Sequence, residues 1–175
     1  MSNKNKTPNF KAMADQLQED TSRYAASKGV SFFQDSFYNQ GFTDQGFEAW
    51  EQRKNDVDPG RKILIKSAFL LNSIQVFDRN KNRVVFGSDA EHAQIHNEGG
   101  TISIAITEKS KKYFWFMFMN TNNTMWKALA LTKKKTITMT IPKRQFIGES
   151  ATFMNQLDEW LLNTILTRFK RLKNE

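Results

Sequence analysis

VFGSDAEHAQIHNEGGTISIAIT, Val85–Thr107, sets out the fold class in miniature. Val85 and Phe86 are strand formers, and Ser88 followed three places later by Glu91 has the form of a helix capping box. Gly99 and Gly100 supply the positive-φ stop that a helix end favours. Beyond them Ile102, Ile104 and Ile106 alternate with small residues, the period of a half-buried strand. In order, this predicts a strand, a short helix over Asp89–Glu98 and a second strand over Thr101–Thr107. Helix and antiparallel strand mixed in this way is an α+β pattern.

Working upstream, strands over Ile74–Phe77 and Arg83–Phe86 flank a turn at Asp78–Asn82 and predict a hairpin, preceded by a short helical turn over Ser67–Asn72. Asn39–Gly60 is rich in turn residues and reads as an irregular connection, which Phe42, Phe47 and Trp50 would pin onto the core. Before it, Phe10, Met13, Ala14, Leu17, Tyr24, Ala25, Phe32, Phe33 and Phe37 recur at helical spacing, with Gly29 a candidate interruption. Downstream, the apolar run Tyr113–Met119 reads as a strand, Asn120–Thr124 as a turn and Met125–Leu131 as a further extended piece. Thr136–Ile141 alternates again. Ala151–Leu172 carries the stripe Met154, Leu157, Leu161, Thr164, Ile165, Arg168, Phe169 and Leu172, with Trp160 beside it, and predicts a helix. The expected architecture is a mainly antiparallel sheet packed by a long N-terminal helix and a C-terminal helix, with a short inserted helix. Residues 10–175 are expected to form one domain after a disordered 1–9.

Composition narrows function. At 175 residues, with 39% hydrophobic residues including 15 Phe and 4 Trp, the chain has the material for a core. No apolar run approaches the roughly 20 residues that span a bilayer, so no membrane partner is expected. Met1–Asn9 is polar and lacks the apolar centre of a secretory signal, which points to the cytoplasm. The absence of cysteine excludes disulfides, thiolate metal sites and cysteine nucleophiles. The net charge of +8 is concentrated. Between Lys109 and Arg144 there are Lys111, Lys112, Lys127, Lys133, Lys134, Lys135 and Lys143 but no acid, and Arg168, Lys170, Arg171 and Lys173 close the chain. Solvated loops and helix ends account for such charges; a surface for nucleic acid or an acidic partner, centred on Lys133, Lys134 and Lys135, is the alternative.

Few residues suggest chemistry. His92 and His96 stand four apart on the predicted short helix, a spacing at which two imidazoles can share a metal. Ala93 occupies the position where zinc peptidases carry their general-base glutamate, and only Glu91 or Glu98 could improvise a third ligand. No serine sits in a nucleophile elbow, and the Gly99–Gly100 pair lacks the flanking elements of a phosphate loop. Asp15, Glu19 and Asp20 read as a solvated helix face. No catalytic, cofactor-binding or metal residue is assigned. The chain reads as non-enzymatic, with a small His-dependent metallohydrolase and a nucleic-acid-binding module as alternatives.

The stretch Val85–Gly100 resembles the phage virion morphogenesis family, the tail completion proteins of Mu-like phages. Ala93, Ile95, His96, Gly99 and Gly100 match its strand, short helix and Gly pair, whereas His92 replaces a usual tyrosine and Glu98 a common aromatic. Leu70, Ser73 and Ile74 resemble the family's Leu-x-x-Ser-Ile element, with Ala68 in place of glycine and Leu71 in place of arginine. Gly46 and Trp50 within FTDQGFEAWEQRK (Phe42–Lys54) are in register with its Gly-x-x-Trp loop. IPKRQFIG (Ile141–Gly148) is similar to the element before its terminal helix, Gln145 standing for proline. There Pro142 would end a strand, Arg144 fork onto a carboxylate or carbonyl, and Phe146 anchor the segment, with Gly148 closing it. The likeness covers Phe32 to the end and constrains Lys109–Thr138 poorly. It implies no catalysis, but tail completion or head–tail joining through protein contacts in a ring. Partners would be copies of the chain and other tail or neck proteins, in the virion after assembly in the host cytoplasm.

Overall fold

A computed structural model of the chain describes residues 9–53 and 58–174, with side chains as far as Arg171. The expected disordered tail lies outside the described residues up to residue 8. Asn9 opens the first helix, its Oδ1 accepting the Ala12 N–H at 3.0 Å. Helix α1 (Phe10–Asn39) then runs to Gln40, whose left-handed φ of 61° lets its N–H close onto the Ser36 carbonyl. Gly29 does not interrupt it. The Phe86 ring lies against the helix at this residue, and a Cβ there would overlap the ring. Close approach, rather than a break, is what this glycine permits. The buried side of α1 includes Ala25, Gly29, Phe33, Ser36 and Phe37.

The connection after α1 is more regular than its turn residues predict. Strands β1 (Gly41–Thr43) and β2 (Phe47–Ala49) pair antiparallel about a turn at residues 44–46. Phe42 and Trp50 are buried, but Phe47 is 55% exposed and lies beside Gly41. The part of the expected loop at residues 54–57 is outside the described residues. After α2 (Phe69–Asn72), β3 (Ile74–Asn80) and β4 (Arg83–Ser88) form a hairpin, from Ile74 opposite Ser88 to Asn80 opposite Arg83. A register shift between Val76 and Asp78 leaves Phe77 out of the pairing, with its ring against Gly87. Both strands outrun the expected ones, which shrinks the turn to Lys81 and Asn82.

Helix α3 (Ala93–Glu98) begins later than its capping signal predicts. Ser88 is the last residue of β4; its hydroxyl shares a 2.6 Å hydrogen bond with the Ser73 hydroxyl and accepts the Ala90 N–H, so it does not cap the helix. Next come β5 (Gly100–Ala105) and, much later, β6 (Thr136–Ile141), paired antiparallel from Gly100 opposite Ile141 to Ala105 opposite Thr136.

Between β5 and β6 the sequence expectation fails. Tyr113–Met119 lies within helix α4 (Glu108–Thr121), and Met125–Leu131 within helix α5 (Thr124–Leu131). A continuous apolar run fits a buried strand and a helix equally well, and caps arbitrate. Thr107 and Ser110 make a reciprocal capping box at the start of α4, Asn122 ends it at a left-handed φ of 51°, and Asn123 caps α5. The turn at Asn120–Thr124 is real but joins two helices. With these segments helical, the described strands form three two-stranded antiparallel sheets instead of one broader layer. The α+β class, with antiparallel pairing and long helices at both ends, stands.

Helix α6 (Ala151–Asn174) starts where Ser150 accepts the Phe153 N–H and donates to the Thr43 carbonyl. It packs on α1: Trp160 stacks on Tyr24 with ring centres 4.3 Å apart, Phe153 meets Phe32 and Phe33, and Arg168 pairs with Asp20. The buried stripe is turned slightly from the expected one, taking in Phe153 and exposing Met154 and Phe169. The side chains of Leu172 and Lys173 are outside the described set.

The chain divides into two compact units, Met1–Glu98 with Lys143–Glu175, and Gly99–Pro142. The core of the first gathers Phe33, Phe37, Phe42, Trp50, Leu70 and Phe146, among others. Substituting Gly29→Ala should lower its stability by about 1–3 kcal/mol through overpacking, despite alanine's better helix propensity. Urea denaturation measures this, and adding Phe86→Leu should make the two changes less than additive in cost.

Candidate functional site

The motif residues, far apart in sequence, meet at one joint within the first unit. The Trp50 indole N–H donates to the Gln145 carbonyl at 2.8 Å. Its ring stands edge-on to Phe37, which also packs against Phe146. The Arg144 N–H donates to the His96 carbonyl at 2.8 Å, and its guanidinium places Nε and Nη2 on the Glu51 carbonyl at 3.2 and 2.9 Å. Asn97 Oδ1 accepts from both Phe146 N–H and Ile147 N–H, at 2.9 and 3.0 Å. Thus the connection after β2, the last turn of α3 and the segment before α6 are tied mostly by side chains bonded to main-chain groups.

The other motif residues are spread around this joint. Ile74 is buried, and Ser73 donates to the Leu70 carbonyl while meeting Ser88. Ala68 adopts φ 54°, a left-handed conformation in which glycine would be unstrained. Ile95 is half-buried, and a Cβ on Gly148 would overlap the Gln145 amide. Gly99 (φ 73°), Gly100 (φ 149°) and Pro142 stand where the chain passes into and out of the unit Gly99–Pro142. Asn97 carries no distinguishing signal in the sequence. It lies inside the matched motif, but an asparagine before a glycine pair reads as a solvated helix end, and only folding brings Phe146 and Ile147 to it.

Beside the joint is a surface pocket of about 360 Å³. His92, His96, Arg53, Arg61, Lys66 and Arg144 line it, with Ile63, Leu64 and Leu70 forming apolar wall. The two imidazoles meet edge to face with centres 5.7 Å apart, and His92 also faces Phe69. His96 Nδ1 is sealed from solvent without a hydrogen-bond partner among the described residues. Burial, then the neighbouring His92 and Arg144, hold the His96 imidazole below its ordinary value. Burial likewise lowers Arg144, with the Glu51 charge opposing. Among the described residues, no group of three or more His, Asp or Glu is placed to hold a metal ion, and neither Glu91 nor Glu98 lines the pocket.

The basic run divides. Arg144 is 8% exposed and spent on the joint, and it lies with Lys143 in the first unit. In the other unit Lys111 pairs with Glu108 at 3.6 Å and Lys127 lies over the Phe118 ring, while Lys133, Lys134 and Lys135 are exposed. The acids of α1 are not simply a solvated face. Asp15 pairs with Lys81, and Glu19 with Arg79 and Arg23, while the Asp20 partner is Arg168. Hydrogen bonds from Arg79 and Arg168 hold the Glu19 and Asp20 carboxyls below the usual range.

Residues 2–166 match the model of the phage virion morphogenesis family, and the chain belongs to that family. No curated protein and no solved structure matches it. Membership makes the chain a virion-associated phage assembly protein and suggests structural work rather than catalysis. Among the described residues, no helix is long and apolar enough to cross a membrane.

Two outcomes follow from the joint. Asn97→Ala strands two main-chain donors and should cost roughly 1–3 kcal/mol in denaturant titration, whereas Asn97→Asp keeps an acceptor oxygen and should cost less. Because the fold favours the neutral His96 ring, its contribution to stability is complete above the unfolded imidazole value of about 6.5 and is lost as pH falls through the lower folded value. Melting temperature should therefore drop between pH 7.5 and 5, and drop less in His96→Gln.

Proposed function

We propose that the protein completes the tail or joins head to tail by protein–protein contacts, as one subunit of a ring. The observation that carries this is the surface of the unit Gly99–Pro142. Phe116, Met119 and Leu131 are 62%, 77% and 61% exposed, and Ala130 is the only buried apolar residue in the unit. Apolar surface of this kind marks a contact face, to be covered by a neighbouring copy or by another tail or neck protein. The two-stranded β5–β6 sheet adds edges that a neighbour can extend. A heterologous contact of one copy with the next, repeated about an axis, closes a ring. Lys133, Lys134 and Lys135, all exposed, favour DNA contact as a second reading. Salt-dependent DNA binding that is lost when all three become alanine supports it.

The test is deletion of the gene in its phage, with particles imaged by electron microscopy. Unattached heads and tails are expected. Wild-type protein supplied in trans should restore joining, and the exposed-face variant Phe116→Glu with Met119→Glu should not. Complete, infectious particles from the deletion would overturn the proposal.

A further inference from the structure

We propose that the pocket beside the joint, lined by Lys66, His92, His96 and Arg144, is a receptor for a glutamate side chain on an acidic, partly apolar peptide segment of a partner protein. Cationic and imidazole groups dominate its polar lining, and no described acid contributes to it. Arg61 is paired with Asp58 at 2.6 Å, which offsets its charge, whereas Arg144 is fixed on the neutral Glu51 carbonyl and keeps its charge in a set position. Lys66 makes no hydrogen bond or ion pair with another described residue. Like charges gathered around one concavity raise its positive potential, which a bound anion relieves. The rim is shaped at a cost, because Leu64 and Ala68, on either side of Lys66, both adopt left-handed backbone, with φ 61° and 54°.

The choice of anion follows from the rest of the wall. Leu64, with the margins of the buried Ile63 and Leu70, offers apolar surface that a bare phosphate could not use, whereas a glutamate lays methylenes on it and turns its carboxylate to the cations. At about 360 Å³ the pocket is roomier than one carboxylate needs, which leaves space for an adjoining apolar side chain. Duplex phosphates, which run in rows on a convex surface, suit an exposed stripe such as Lys133–Lys135 better than a concavity with an apolar wall. The inference rests on the assembly reading only in taking the carrier to be a protein. Its test uses the isolated chain and no phage, so either idea can fail without the other.

The full chain, with its two histidine side chains isotopically labelled, is titrated with a capped peptide Ser-Leu-Glu-Glu-Leu-Ser and followed by NMR. The controls are the same peptide with glutamine for glutamate, inorganic phosphate, and a short DNA duplex. Saturable shifts of the His92 and His96 signals with the glutamate peptide alone are expected. Lys66→Glu should weaken binding about tenfold or more, and the milder Lys66→Gln by less, as loss of a charge-assisted contact requires. Joint replacement of Lys133, Lys134 and Lys135 by alanine should leave it unchanged. Equal binding of the glutamine peptide, or undiminished binding by Lys66→Glu, would overturn the proposal. So would shifts with phosphate or DNA and none with the peptide, which assign the pocket to phosphate.

Discussion

The bond from Arg144 N–H to the His96 carbonyl, with the two bonds into Asn97 Oδ1 beside it, is the constraint on which the first unit depends. The chain leaves this unit after Glu98 and re-enters it at Lys143. These bonds fasten the returning strand of chain to the departing one, so the long excursion through Gly99–Pro142 begins and ends at one place. Phe146, 1% exposed, then inserts against Phe37, and the Arg144 guanidinium and Gln145 carbonyl reach across to Glu51 and Trp50. Buried main-chain groups need partners, and here side chains supply them where no sheet does.

The same economy runs along α1. Gly29 lets Phe86 approach the helix, Tyr24 stacks on Trp160, and Glu19 and Asp20 receive Arg79 and Arg168. One helix thus carries a hairpin on one side and α6 on another. The apolar residues of Gly99–Pro142 are arranged differently, with rings such as Phe114 and Trp126 stacked while Phe116 and Met119 face outward. A unit built this way has surface to offer a partner, consistent with a family whose work is assembly.

Legibility in the sequence followed the locality of the signal. Thr136–Ile141 was readable to the residue because its alternation is complete, and α6 because its stripe recurs over many turns. The Ser88–Glu91 pattern misplaced the start of α3, since a distant residue, Ser73, takes the serine hydroxyl. Tyr113–Met119 reads as a strand because a fully apolar run has no period to measure; the caps at Thr107 and Asn122 hold the information that it is a helix. Of the site, Trp50, His96, Arg144 and Phe146 were identifiable as residues, but not their partners, which are mostly main-chain carbonyls and amides with no sequence signature.

By itself, then, the order of residues determined the α+β class, the terminal helices, most strand positions, the glycine stop and the kinship with phage assembly proteins, because each is set by neighbours a few positions apart or by matching motifs. Only the tertiary structure decided that Gly29 is a seat for Phe86, that Asn97 receives two main-chain donors, and that two histidines, Lys66 and a buried arginine share one pocket. Those outcomes depend on which distant groups come within hydrogen-bonding or van der Waals range, and that is fixed only when the chain has closed on itself.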